Sequence, residues 1–341
     1  MYKDNFDPYL HQEKLLGLFA ALAEESELSE ERYRQIIKKF NQPDGRLFSK
    51  DQLVTALKVF DDAKLLPFPT QKLHDFIKLK PVRTGSGVTP VTVLTKPFPC
   101  PGTCIFCPND VRMPKSYLHD EPGAQRAERN QFDPYLQTYN RLQAFRNIGH
   151  DTDKIEIIVL GGTWSFYPEQ YQIWFIKRCF EALNDFSIGK DQRDELIAHY
   201  EQVNAQLGVD SRTQNATVVQ AEIDGHKMKK SYNQVISELY TAPDKLMKLD
   251  SNQIATWEEL EHEQQTNETA QSRCVGLVIE TRPDNISEAE VMRIRRLGCT
   301  KTQIGIQSLQ DEVLTKNKRG HNVAATRRAF ALLRAAGFKI H

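Results

Sequence analysis

The chain has 341 residues, 40% of them hydrophobic and 26% charged, and its 45 basic and 45 acidic side chains cancel to a formal net charge of +0. This composition suits a soluble globular protein with a substantial core and excludes a polyelectrolyte, so any affinity for nucleic acid has to come from local patches. No apolar run approaches the roughly 20 residues of a membrane span, no secretory signal opens the chain, and six cysteines over this length do not suit a small disulfide-rich domain. A reducing cytoplasm is the expected setting, with no membrane partner.

Residues 1–80 read as an N-terminal helical domain. "DPYLHQEKLLGLFAALAEE" and "SKDQLVTALKVFDDA" carry apolar residues at helical spacing, Ser26, Ser29 and Ser49 are candidate N-caps, and "NQPDG" separates helices. The domain has a basic end. Lys72, Lys78, Lys80, Arg83 and Lys96 stand against the single acid Asp75 around the turn "RTGSG". Basic side chains beside a Gly-Ser turn suit phosphate oxygens, which makes Lys78, Lys80 and Arg83 candidate contacts to a nucleic-acid backbone. A solvated basic face is the plainer reading of the same residues.

From residue 81 strands and helices alternate. "VTPVTVLT" is a β-branched strand, "QFDPYLQTYNRLQAFRNIGH" a helix, and "DKIEIIVLGGTW" a buried parallel strand ending in Gly161 and Gly162. A helix is expected at about 168–184. "CVGLVIETRPD" and "CTKTQIGIQS" repeat the strand-then-loop pattern, with helices expected near 287–297, 310–316 and 323–336, and "GFKIH" begins one more strand. This alternation implies an α/β fold with a parallel sheet, open or closed, whose chemistry gathers at the C-terminal strand ends. Residues 187–272 break the rhythm. Their last part, 249–272, has six acids and no Lys or Arg, so the stretch reads as a peripheral acidic helical insertion, partly disordered towards its end. The expected division is 1–80, 81–186, 187–272 and 273–341.

"TKPFPCPGTCIFCPND" packs Cys100, Cys104 and Cys107 into eight positions at the end of the first strand, while Cys179, Cys274 and Cys299 are scattered. A structural zinc site would need a distant fourth ligand such as His119 or Cys274. A redox pair of Cys104 and Cys107 would leave Cys100 unexplained. A [4Fe–4S] cluster held on three irons would use all three thiolates and leave one iron open to a small molecule. Beyond the loop, "LGGTW" offers exposed backbone groups at Gly161, Gly162 and Thr163, or simply a tight turn. "IETRPD" places Glu280 and Arg282 past a strand, as ligand contacts or as a structural salt bridge, and "IGIQS" adds Gln307 as a neutral donor and acceptor. No residue is assigned as catalytic.

C-x3-C-x2-C at the end of the first strand, with a glycine pair after the second, resembles the radical S-adenosylmethionine superfamily. The blocks "KPVRTGSGV", "CPGTCIFCP", "GHDTDKIEIIVLGGTW", "VGLVIETRPD", "GCTKTQIGIQSLQDEVL" and "KRGH" further resemble the Elongator catalytic subunit and its single-chain bacterial and archaeal relatives. The resemblance covers residues 72–341, least well in the acidic insertion. It implies a partial parallel (β/α) barrel of the radical S-adenosylmethionine type following an N-terminal helical domain that contacts tRNA. It implies carboxymethylation at C5 of the wobble uridine of tRNA, with acetyl-CoA as co-substrate, S-adenosyl-L-methionine as cofactor and an external electron donor, and it leaves a homodimer open. It makes Cys100, Cys104 and Cys107 the cluster ligands and Gly161, Gly162, Thr163, Glu280, Arg282 and Gln307 cofactor contacts. It matches Lys154, in "GHDTDK", to a lysine associated with acetyl-CoA. The chain ends at His341 inside the fifth expected strand, so the expectation is a barrel incomplete at its C-terminus and a chain without the acetyltransferase domain. Two other readings stay open: a radical enzyme acting on another substrate, and a zinc-stabilised tRNA-binding module without catalysis.

Overall fold

The computed structural model describes residues 6–206, 212–225, 230–240 and 253–341. The chain divides into two compact units, Met1–Thr89 with Arg141–Thr152, and Pro90–Asn140 with Asp153–His341.

The first unit is helical. Helices α1 (Gln12–Ala23), α2 (Glu30–Ile37), α3 (Lys50–Asp62) and α4 (Gln71–Ile77) each carry an apolar stripe, for example Leu15, Leu18, Phe19 and Leu22 on α1. These stripes meet in one core with Leu53, Leu57, Phe60, Leu73 and Ile77. Ser29 caps α2 by accepting from Arg32 N at 3.1 Å, and Ser49 and Gln52 close a capping box on α3. Ser26 caps nothing; its carbonyl accepts from Lys72 Nζ at 2.6 Å, and the Glu25 carbonyl accepts from the same ammonium at 2.9 Å. Lys72 is therefore tied down inside the unit. Lys80 and Arg83 are exposed, Lys78 is half-buried, and Lys80 has a left-handed backbone (φ 54°) where the chain turns.

The second unit is built on a five-stranded sheet of β1 (Thr89–Leu94), β2 (Lys154–Leu160), β3 (Arg273–Thr281), β4 (Lys301–Ile304) and β5 (Lys339–Ile340), in the order β1-β2-β3-β4-β5. The pairings β2–β3, β3–β4 and β4–β5 are parallel. Strand order never reverses, so the sheet lacks the switch point of a doubly wound fold. Ten further helices complete the fourteen found among the described residues: α5 (Pro122–Arg129), α6 (Pro134–Asn147), α7 (Glu169–Ile188), α8 (Arg193–Gln206), α9 (Arg212–Asp224), α10 (Tyr232–Tyr240), α11 (Trp257–Asn267), α12 (Glu288–Arg296), α13 (Asp311–Lys316) and α14 (Val323–Ala335). Among these described helices none is long and apolar enough to cross a membrane.

Helix α7 is buried over most of its length and is therefore covered on more than one side. Helix α11 supplies part of that cover. The expectation of disorder at 249–272 is corrected at α11, which opens with a capping box between Thr256 and Glu259 and buries Leu260; residues 249–252 lie outside the described residues. Asn267 fastens this helix in place. Its Nδ2 donates to Asn184 Oδ1 on α7 at 2.7 Å and its Oδ1 accepts from Cys274 N on β3 at 2.7 Å. A buried amide with partners on both sides specifies one packing, because any other leaves it unsatisfied.

Candidate active site

Four strand ends feed one cleft. Its lining includes Cys100, Cys104 and Cys107 after β1, Gly161, Gly162 and Thr163 after β2, Glu280 and Arg282 at the end of β3, and Gln307 after β4. All nine were singled out from sequence. Gly102, Lys115, Ser116 and Arg319 also line the cleft and were given no role.

The cysteine loop has no regular structure. Pro97, Pro99, Pro101 and Pro108 withhold backbone donors and keep the chain extended, so the loop depends on side chains from elsewhere. Asn233 on α10 accepts from Cys100 N at 3.0 Å and donates to Cys100 O at 2.8 Å. Gln220 on α9 accepts from Val111 N at 2.9 Å, and Tyr232 donates to Met113 O at 2.8 Å. Val111 packs in a small core with Tyr232, Val235 and Ile236. The insertion expected to be peripheral thus buttresses the loop.

Each thiol has a different neighbour. Cys100 Sγ accepts from Gly102 N at 3.4 Å and lies 3.7 Å from Thr163 Oγ1. Cys107 Sγ lies 3.2 Å from Ser116 Oγ, whose residue holds a left-handed backbone (φ 86°). Cys104 Sγ accepts from Arg319 Nη1 at 3.3 Å and from Arg282 Nη1 at 3.5 Å. Burial alone would raise the Cys104 thiol, but hydrogen bonds and positive charge from the two arginines outweigh it and hold the pKa below the ordinary value. Lys115 is buried within electrostatic reach of all three thiols. Its ammonium donates to Asn109 and sits 4.7 Å from the Tyr232 ring centroid. Burial lowers its pKa, and the thiols oppose that shift.

Glu280 accepts from Tyr117 Oη at 3.2 Å. Burial raises the pKa of both groups, more than the hydrogen bond between them stabilises the carboxylate. Arg282 gives Nε and Nη2 to Asp284 at 3.0 and 2.8 Å, and Nη2 also reaches Arg319 O at 2.6 Å. Most of its donors are therefore engaged within the protein, with Asp284 and not Glu280 as the carboxylate partner. Gly161 (φ 145°) is backed so closely by Thr95 Oγ1 that a Cβ would collide with it, so glycine is required there for space as well as backbone.

The remaining candidates lie elsewhere. Lys154 opens β2, exposed at the opposite end of the strand from Gly161, about 20 Å away at the rise of an extended chain. Lys78, Lys80 and Arg83 belong to the first unit. Lys96, counted with the basic stretch, is buried and donates to Gln253 Oε1 at 2.6 Å.

The donor set suits an anionic group held by three thiolates. Three cations, Lys115, Arg282 and Arg319, surround sulfurs that would otherwise carry unbalanced charge. Neither His119 nor Cys274 lines the cleft, Cys274 being near the start of β3 and so at the far end of that strand from Glu280. Among the described residues no three His, Cys, Asp or Glu side chains converge tightly enough for a single metal ion.

No family model matches the chain. Over 289 residues, 82% of its length, it is 34% identical to proteins named tRNA uridine(34) acetyltransferase from Methanocaldococcus infernus and Methanocaldococcus jannaschii. It is 28% identical to Elongator complex protein 3 of Homo sapiens over 275 residues, 77% of the chain. The chain spans 41% of the length of the two archaeal relatives and 38% of the human one. The solved structure of the Methanocaldococcus infernus Elp3 with an N-terminal deletion matches with 30% identity and a TM-score of 0.44, covering 74% of this chain and 37% of that one.

Proposed function

We propose, for a chain homologous over most of its length to the tRNA uridine(34) acetyltransferases and Elongator complex protein 3, that it carries the radical S-adenosylmethionine site of an enzyme modifying C5 of the tRNA wobble uridine. The sheet is read as part of a (β/α) barrel, and acetyl-CoA as the source of the added group. One observation carries this reading: nine residues from four separate strand ends line a single cleft that also holds three cations, Lys115, Arg282 and Arg319. Cys100, Cys104 and Cys107 would hold a [4Fe–4S] cluster, which when bound supplies an electron for reductive cleavage of S-adenosylmethionine.

The protein's own groups then have distinct tasks. Backbone groups at Gly161 and Gly162 let a ligand approach closely, where a side chain would block it. Glu280, oriented by Tyr117, can accept from a ribose hydroxyl or an amine. Gln307 is presented by a left-handed backbone (φ 69°) as a neutral donor and acceptor. Cys104 is buried, whereas Cys100 and Cys107 are half-buried and open to a ligand in the cleft. Lys78, Lys80 and Arg83 would hold tRNA phosphates, and Lys154 would meet acetyl-CoA at a place separate from the cleft.

The test is anaerobic purification and reconstitution with iron, sulfide and zinc quantified. Paramagnetic resonance follows, after reduction and after addition of S-adenosylmethionine. The expected result is four irons per chain (the stoichiometry of the cluster type), a reduced-cluster signal that S-adenosylmethionine perturbs, and release of 5′-deoxyadenosine. A colourless zinc protein that still binds tRNA would overturn the radical reading in favour of a zinc-stabilised binding module. Cofactor cleavage unaffected by tRNA would point to another substrate.

A further inference from the structure

We infer that Arg319, together with Arg282, tunes the reduction potential of the cluster at Cys104 by aiming two guanidinium donors at one sulfur; this rests on the cluster reading above. The arrangement is asymmetric. The hydrogen-bond partners of the Cys100 and Cys107 sulfurs are a backbone amide and two hydroxyls, whereas Cys104 faces two cations at 3.3 and 3.5 Å. Both arginines are 95% buried. Arg319 is braced by Nη2 donating to Gly305 O at 2.6 Å, and Arg282 by Asp284 and by the Arg319 carbonyl.

Three glycines leave the space this requires. A Cβ at Gly102 would run into the Arg282 guanidinium, one at Gly305 would lie 2.8 Å from Arg319 Nη2, and one at Gly320 would lie 3.3 Å from Arg282 Nη2. The charges also fail to balance without the sulfur. Two buried guanidinium groups have one ion-paired carboxylate, Asp284; Glu280, which the Arg319 charge favours as a carboxylate, is pushed towards its neutral form by burial, as is His321, 3.4 Å from Asp284. An unpaired buried cation is costly, and an anionic sulfur supplies the missing charge.

The consequence is electrochemical. Reduction adds negative charge to the cluster, so donors and cations at its sulfur stabilise the reduced form more than the oxidised one and raise the potential. Arg319 acts here through the ligand and touches no substrate. It is a positioning residue.

The full chain is reconstituted as wild type, Arg319→Gln and Arg319→Lys, and each is titrated electrochemically with paramagnetic detection. Iron content should be unchanged. The ratio of reduced to oxidised cluster at a fixed potential should fall about tenfold in Arg319→Gln, a shift of about 59 mV for one electron, with Arg319→Lys in between. Wild-type chain carrying 15N only in arginine should also show nitrogen coupling to the reduced cluster. A variant with full iron and a wild-type midpoint overturns the inference and leaves the cluster reading intact. If the variants take up no iron, the labelled wild type decides, and absence of arginine coupling overturns the inference. Wild-type chain that binds no iron overturns both.

Discussion

Asn233 grips the backbone of Cys100 from both sides, accepting from its N–H at 3.0 Å and donating to its carbonyl at 2.8 Å. The two residues are 133 positions apart, and the pairing makes α10 a support of the cysteine loop. Asn233→Ala removes both bonds and leaves a partly buried N–H and C=O without partners. The expected cost is about 1–3 kcal/mol, read as a lower melting temperature, with a reduced iron-to-protein ratio after reconstitution. Wild-type iron uptake and melting in this variant would show that the pairing is incidental.

The six cysteines should separate into two groups. Burial pushes the thiols of Cys274 and Cys299 up to about 12 and about 11, and raises Cys179 further, so these three stay protonated and unreactive. Single alanine variants at Cys100, Cys104 or Cys107 should lose bound iron. Variants at Cys179, Cys274 or Cys299 should keep it, with Cys179→Ala losing about 1 kcal/mol of stability through the small cavity it creates. Full iron loading in Cys104→Ala would end the cluster assignment.

Reversing the charges of Lys78, Lys80 and Arg83 to glutamate should weaken binding of all tRNAs to a similar degree. The salt dependence should flatten by roughly 0.7–0.9 in log–log slope for each phosphate that is no longer neutralised, because such ion pairs release counterions and carry no sequence information. Competition binding at several salt concentrations measures both. An unchanged slope would return these residues to an ordinary solvated face.

His150 gives the first unit a pH dependence. Its Nδ1 lies 2.8 Å from Thr84 Oγ1. Burial lowers its pKa, assisted by the positive charges of Lys78 and Arg83 and opposed by the hydrogen bond with the Leu79 backbone. The unfolded chain then binds more protons between the depressed folded value and the ordinary one of about 6.5. The His150 contribution is complete above that ordinary value, declines as pH falls through the window and levels off below the folded value. Thermal melts between about pH 8 and pH 5 should show this decline in the wild type and a shallower one in His150→Gln. Equal slopes would exclude His150 as the titrating group.

What the sequence determined by itself was periodic or local. The apolar stripes of α1 and α3, the caps at Ser29 and Ser49 and the β-branched runs of β1 to β3 follow from short-range spacing, and all are present. Cysteine spacing, together with strand-end position, was enough to select Cys100, Gly161, Glu280 and Gln307, because parallel strands in sequential order bring their C-terminal ends to one edge of the sheet. Tertiary structure decided the rest. Arg319 stood in the block "KRGH" without a role, since nothing nearby in the chain announces a partner 215 positions away. Asn233 and Gln220 were hidden in a stretch whose acidic composition suggested a periphery, and Lys72 was counted as a free base although two carbonyls near Ser26 hold it. Composition reports how many charges and amides a segment carries. Which of them are consumed by internal partners depends on where the fold places carbonyls, carboxylates and sulfurs, and that is set by long-range packing.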